Sequence, residues 1–171
     1  MRNRFDTQLE LLNKELIEII GQAIDDEYIK ELTTISLSPE AISRHKDMKI
    51  VYTPIHGTGV KLVPAALKAY GFTNIIHVPE QDVVSGDFPT VISPNPEEPA
   101  ALAMAVEKAK ETDAELVMAS DPDADRVGAA VKNNEGEWVL LNGNQTALMF
   151  VYYLITRWKE LGKINGKEYL S

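Results

Sequence analysis

Between Lys49 and Leu141, short apolar runs alternate with segments of helical character, and that alternation constrains the fold more than any other feature. Lys49-Ile50-Val51-Tyr52-Thr53 reads as a buried strand. The loop Pro54–Gly59 follows, and then a helix from about Val60 to Tyr70, with Gly71 suited to its C-terminal cap. Asn74–Val78 is the next strand. Residues 79–98 form a long proline-bearing loop, and Pro99 opens an alanine-rich helix to about Lys110. Leu116–Ala119 and Val127–Val131 are further strands, and a turn at Asn134-Glu135-Gly136 leads into Trp138–Leu141. Asn142 and Asn144 read as caps of a last helix to about Leu161, whose Trp, Tyr and Met residues are expected in the core; Gly162 ends it. Alternation of this kind implies parallel strands joined by crossover helices on both faces of a sheet. The late strand pair adds an antiparallel edge. The expected class is α/β, a three-layer α/β/α arrangement around a mostly parallel mixed sheet.

Ahead of the sheet lies a helical segment. Leu9, Leu12, Leu16, Ile19 or Ile20, and Ala23 fall on one helix face. Asp25-Asp26 reads as the cap of a second helix through Tyr28, Ile29 and Leu32, and Ser38-Pro39-Glu40 as the start of a third. The expected division is therefore 1–44 as N-terminal helices or linker, 45–162 as the α/β domain, and 163–171 as a tail. Residues 1–24 carry no motif with an assignable chemistry.

Composition excludes several function classes. The 171 residues hold 26 Asp plus Glu against 17 Lys plus Arg, a net charge of −9, and no cysteine. Thiolate metal sites, disulfides and a cysteine nucleophile are ruled out. The acidic balance opposes nucleic-acid binding, which needs basic charge to displace counterions. The apolar stretch near Leu148–Ile155 is far short of the ~20 residues that span a bilayer, and the first residues lack the apolar run of a secretory signal. A cytoplasmic protein without membrane or nucleic-acid partners is the expectation.

The chemistry concentrates in Ser120-Asp121-Pro122-Asp123-Ala124-Asp125-Arg126, between two apolar strands. In open α/β sheets, ligands bind at that edge. Three carboxylates at alternate positions repel one another, and a divalent cation relieves the repulsion. One oxygen each from Asp121, Asp123 and Asp125 makes an all-oxygen set suited to Mg²⁺, Mn²⁺ or Ca²⁺, with coordination positions left for water or phosphate. Arg126 adds a planar fork of donors suited to phosphate. The competing account is a solvated acidic loop, which the flanking apolar strands disfavour. A calcium hand fails, because the sixth position is Arg126 where glycine is needed and the twelfth is Lys132 where glutamate is needed. A haloacid-dehalogenase-like phosphatase with Asp121 as nucleophile is the alternative, weakened by Asp125 where Thr or Val is usual. A non-catalytic binding module is a third reading. His56-Gly57-Thr58-Gly59 is a weaker candidate for an active-site loop, lacking the full dinucleotide or P-loop pattern but placed for an anion at a helix N-terminus. His56 reads equally as ligand-facing or as hydrogen-bonded within the loop. His45 and His77 have no neighbours in sequence that suggest catalysis.

Asp121–Arg126 resembles the metal-binding loop of the α-D-phosphohexomutases, the phosphoglucomutase/phosphomannomutase family. Tyr52–Gly59, Asp87-Phe88-Pro89, Ser93–Glu97 and Asn142–Gln145 occur in that family's order. Family enzymes have four domains, and the chain resembles the second. The resemblance implies phosphoryl transfer between C1 and C6 of a sugar through a phosphoserine. It also implies Mg²⁺ held by Asp121, Asp123 and Asp125, and Arg126 assisting with the phosphoserine or the phosphosugar. Partners would be the phosphosugar and the other domains. The family's serine motif, its Gly-Glu-x-Ser-Gly sugar loop and its arginine-rich phosphate loop do not occur, and Ser120 is not in the nucleophile's context. The chain on its own is therefore expected to lack a catalytic residue and to be inactive.

Overall fold

In a computed structural model, the structure describes residues 18–168. Helices α1 (Gly21–Thr34) and α2 (Pro39–Arg44) come first. They are followed by β1 (Lys49–Thr53), α3 (Gly59–Tyr70), β2 (Asn74–His77), α4 (Pro99–Thr112), β3 (Leu116–Ser120), β4 (Val127–Lys132), β5 (Trp138–Leu141) and α5 (Gly143–Glu160). The strands make one sheet in the order β2-β1-β3-β4-β5. β1 pairs in parallel with β2 and β3, while β3–β4 and β4–β5 are antiparallel. This is the mixed α/β sheet with an antiparallel edge that the alternation implied.

Register explains the core. Ile76, Val51, Val117, Ala130 and Leu140 stand opposite one another across all five strands. Ala101, Leu102, Ala105 and Ala109 of α4 pack on that row, and the three small alanines let the helix lie close to the sheet. On the other face, Tyr52 and Met118 occupy the adjacent row, and Tyr52 packs against the first residue of α3. Gly71, at φ +117, ends α3 in the left-handed conformation. Pro39 sits in the first turn of α2.

Three expectations change. Asp25-Asp26 caps nothing: α1 runs straight through both, and Gln22 Nε2 donates to Asp26 Oδ1 at 2.8 Å, an i,i+4 pair of a helix interior. α1 begins instead at Gly21, whose φ of +51 marks its N-terminal boundary. Of the leucine stripe before it, Leu9, Leu12 and Leu16 lie outside the described residues. Asn142 alone caps α5, through a capping box in which its side chain accepts from the Gln145 N–H and Gln145 Oε1 accepts from the Asn142 N–H. The aromatic and methionine residues of α5 are not core: no α5 residue is buried, and Tyr152 is 73% exposed. The helix is moored by polar groups, with the Tyr153 hydroxyl donating to Ser38 Oγ and Arg157 to the Leu37 carbonyl, and its apolar side chains are at most partly covered. No helix among the described residues is long and apolar enough to cross a membrane.

Candidate metal centre

The acidic loop is the connection of the β3–β4 hairpin, at the carboxyl end of β3. Asp121 follows the strand directly and is 1% exposed. Its burial is compensated locally: Oδ1 accepts the backbone N–H groups of Asp125 and Arg126, both at 3.1 Å, and Oδ2 accepts Arg126 Nε at 2.7 Å. The Ala124 N–H donates to the Asp121 carbonyl at 3.0 Å, and Ala124 takes φ +61, so the chain curls back on itself. The curl brings one oxygen from each of Asp121, Asp123 and Asp125 within 4.8 Å of one another, with Asp123 and Asp125 at the surface.

Charge follows geometry. Burial pushes the Asp121 carboxyl up, but the Arg126 side chain and backbone hydrogen bonds outweigh it and hold Asp121 below the usual carboxylate range. Asp125 moves the other way, raised first by the Asp121 carboxylate beside it and then by the charge of Asp123. The donor set fits a hard cation. Both lone pairs of Asp121 Oδ1 are used, but Oδ2 meets a single donor and keeps one, and the other two carboxylates point outward. An octahedral ion with Mg–O bonds of 2.0–2.1 Å spans oxygens up to about 4.2 Å apart. Only one of the three pairs can take opposite positions, and the others need neighbouring ones about 2.9 Å apart, so the exposed Asp123 and Asp125 side chains would have to close in on Asp121 to share Mg²⁺.

Arg126 is shared. Its Nε is held by Asp121, Nη1 reaches toward Asn95 Oδ1 at 3.4 Å, and the side chain is 53% exposed, so part of the guanidinium faces outward. Asn95 comes from the long loop, 31 residues away, and nothing in its local spacing marks it as a neighbour of Arg126.

The glycine loop lies against the acidic loop. The Thr58 N–H and hydroxyl both donate to the Pro122 carbonyl, at 2.9 and 3.1 Å. Gly57 is flush on Pro122: a Cβ there would overlap Pro122 Cα and lie 2.7 Å from its carbonyl oxygen. That close approach is the reason for glycine at this position. Gly59 packs on Tyr52 and Ser120. The N-terminus of α3 is thus turned onto the hairpin loop and one of its N–H groups is already occupied. His56 is 1% exposed, with Nδ1 on the Val83 carbonyl and Nε2 on Thr90 Oγ1, both at 2.8 Å, which decides between its two readings in favour of a hydrogen-bonded interior group. Behind the loop the Tyr52 and Ser120 hydroxyls meet at 2.8 Å, and burial pushes Tyr52 up to about 12 despite that bond. His77, which had no suggestive neighbour in sequence, pairs with Asp82 at 2.9 Å.

Residues 26–136 match the family model described as phosphoglucomutase/phosphomannomutase, alpha/beta/alpha domain II. The chain belongs to this family. It is 36% identical over 161 residues to a phosphoglucomutase of Staphylococcus haemolyticus, an alignment covering 90% of this chain and 28% of that enzyme. It is 37% identical over 139 residues to a Homo sapiens phosphopentomutase, covering 81% of this chain and 22% of the relative. The chain thus spans little more than a quarter of these family members at most. The crystal structure of a Burkholderia thailandensis family protein superposes with a TM-score of 0.61 at 24% identity, over 78% of this chain and 26% of the other, a likeness of fold. Asp121, the candidate nucleophile of the phosphatase alternative, is buried and its carboxylate is held by three donors.

Proposed function

We propose that the chain is the magnesium-holding domain of a mutase that moves a phosphoryl group between C1 and C6 of a sugar phosphate through a phosphoserine supplied by another domain. The observation that carries this is the convergence of the Asp121, Asp123 and Asp125 oxygens beside Arg126 at the carboxyl end of β3. Asp121, Asp123 and Asp125 would hold the ion. When bound, Mg²⁺ supplies positive charge that offsets the charge developing on a phosphoryl group in transfer. Arg126 orients the group: fixed at Nε by Asp121, it turns its outward nitrogens toward a phosphate oxygen. Asp121 has a double task, ligating through Oδ2 while its Oδ1 shapes the loop that presents the other two carboxylates. The relatives' names include both a phosphoglucomutase and a phosphopentomutase; a pentose has no C6, and on such a sugar the same transfer would run between C1 and C5. The acidic balance and the absence of cysteine agree with an all-oxygen site in a cytoplasmic enzyme.

Two measurements test the reading. Titration calorimetry should show one Mg²⁺ per chain, lost when Asp123 and Asp125 are both changed to asparagine; no Mg²⁺ binding by the unaltered chain refutes it. Mutase assays should show no turnover by this chain at any Mg²⁺ concentration. Robust interconversion of hexose 1- and 6-phosphates would refute the assignment of the phosphoserine to another domain.

A further inference from the structure

Behind the glycine loop lies a run of buried and half-buried polar side chains whose protons can be placed one by one. The Ile55 N–H donates to Thr53 Oγ1 at 3.1 Å, so the Thr53 hydroxyl is free to donate onward, to Gln81 Oε1 at 2.7 Å. That fixes the Gln81 amide, whose Nε2 then donates to Thr90 Oγ1 at 3.2 Å and to the Ala101 carbonyl. With its oxygen accepting from Gln81, Thr90 gives its single proton to His56 Nε2 at 2.8 Å. His56 Nδ1 faces the Val83 carbonyl, which can only accept, and so carries the ring proton. Every link points the same way, from β1 through the long loop into His56, and the side chains of Thr53, Gln81 and His56 are fully buried.

The chain of bonds ends where the backbone is least comfortable. Ile55 and His56 both hold positive φ, +47 and +63, in the left-handed region that side chains with a Cβ avoid. Such a pair persists only where its surroundings over-determine it. All four polar groups of His56 are engaged by residues 81–90: its N–H by the Gln81 carbonyl at 2.8 Å, its carbonyl by the Ser85 N–H at 3.1 Å, and its two ring nitrogens as above. The next two residues, Gly57 and Thr58, are the ones pressed against Pro122 in the acidic loop.

We propose that His56 and Thr90 are positioning residues for the metal loop: their directed hydrogen bonds hold the strained Ile55–His56 turn, which in turn seats Gly57 and Thr58 against Pro122 and sets the spacing of the three aspartates. This rests on the magnesium reading above. Neither residue touches the ion or the sugar. The link is mechanical, through the backbone at 55–58, and its chemical requirement is a hydroxyl at position 90 and an imidazole with its proton on Nδ1.

The test compares Thr90→Val, nearly the same shape without the hydroxyl, with Thr90→Ser, which keeps it. In Thr90→Val, the Thr58, Asp125 and Arg126 amides should exchange with solvent about tenfold faster, while those of β3 keep their protection. Mg²⁺ affinity should fall about tenfold, the lower end for groups outside the coordination shell, and Thr90→Ser should restore both. Parent-like exchange at Thr58, Asp125 and Arg126 in Thr90→Val overturns the proposal, as does failure of the serine to restore it. If the unaltered chain binds no Mg²⁺, the magnesium reading falls and the exchange data still decide this one. Should Thr90→Val not fold, nitrogen-15 spectra of His56 in the unaltered chain decide: a proton on Nδ1 is expected, and a proton on Nε2 overturns the directed chain.

Discussion

Replacing Gly57 with alanine adds one methyl group where the structure leaves no room for it. The new Cβ would overlap Pro122 Cα and lie 2.7 Å from the Pro122 carbonyl oxygen and 2.8 Å from that of Pro54, against ordinary contact at 3.4 Å and beyond. All three obstacles are backbone, so no side chain can swing aside. Gly57 does not hold a positive φ, so alanine meets no conformational penalty and the effect isolates the collision. Relief requires the acidic loop to retreat by at least about 0.7 Å and the Pro54 carbonyl to shift as well, at an overpacking cost of about 1–3 kcal/mol. The two Thr58 hydrogen bonds to Pro122, at 2.9 and 3.1 Å, then stretch beyond useful length, each worth about 0.5–1.5 kcal/mol. Because strain and lost bonds partly substitute for each other, the expected total is about 2–4 kcal/mol, or about 5–15 °C in Tm for a chain of this size. Thermal melts followed by circular dichroism read the stability, and calorimetric Mg²⁺ titration reads the site. Gly86→Ala is the control, since nothing lies within 4 Å of its added Cβ and its φ is ordinary. A Gly57→Ala protein that melts within a degree of the parent and binds Mg²⁺ equally well would refute the claim that this glycine exists for the sake of the loop.

The two kinds of aspartate should separate in the same assays. Asp123→Asn, at the surface, should weaken Mg²⁺ binding with stability unchanged to within about 0.5 kcal/mol, whereas Asp121→Asn sets an amide against Arg126 Nε and should also destabilise by about 1–3 kcal/mol; equal stability losses would contradict the division of labour. Tyr52 is held at about 12 by burial against 10.0 in the unfolded chain. Its raised value means a contribution fully present below pH 10 and lost as pH climbs to about 12, worth about 3 kcal/mol at most. Denaturant unfolding of the parent should therefore weaken relative to Tyr52→Phe across that window, and parallel pH profiles would tell against it. Removing the capping box with Asn142→Ala should cost about 1 kcal/mol, seen as faster amide exchange in the first turn of α5 while β1 and β3 keep theirs; slowed or unchanged exchange there would contradict the cap's role.

Where a feature depends on near neighbours in sequence, the sequence discloses it. The strands Lys49–Thr53 and Trp138–Leu141, Pro39 opening α2, Gly71 closing α3 and Asn142 starting α5 all follow from local pattern. So does the grouping of Asp121, Asp123 and Asp125 within one six-residue loop, though not the distant contacts that hold that loop. What stayed hidden lies across long separations. Thr90 is 34 residues from His56, Asn95 31 from Arg126, and Pro122 64 from Thr58. Polar residues in a proline-bearing loop look alike until the fold chooses among them. Apolar pattern also misleads in one direction: α5 has the residues of a core helix, but burial depends on what packs against it, which a helix's own residues do not specify. At Asp25-Asp26, acidic residues favour a helix start without requiring one, and α1 has already begun at Gly21.

The hairpin setting of the acidic loop bears on the order of events in folding. β3 and β4 are neighbours in sequence and pair directly, so the loop between them can close early and locally. The surfaces that hold it at its final spacing, residues 54–58 and Asn95, arrive only when distant parts of the chain meet. A cation that needs all of these in place would find little to grip in the transition state. Mg²⁺ should then act mainly as a brake on unfolding, leaving the refolding rate nearly as it is without the ion.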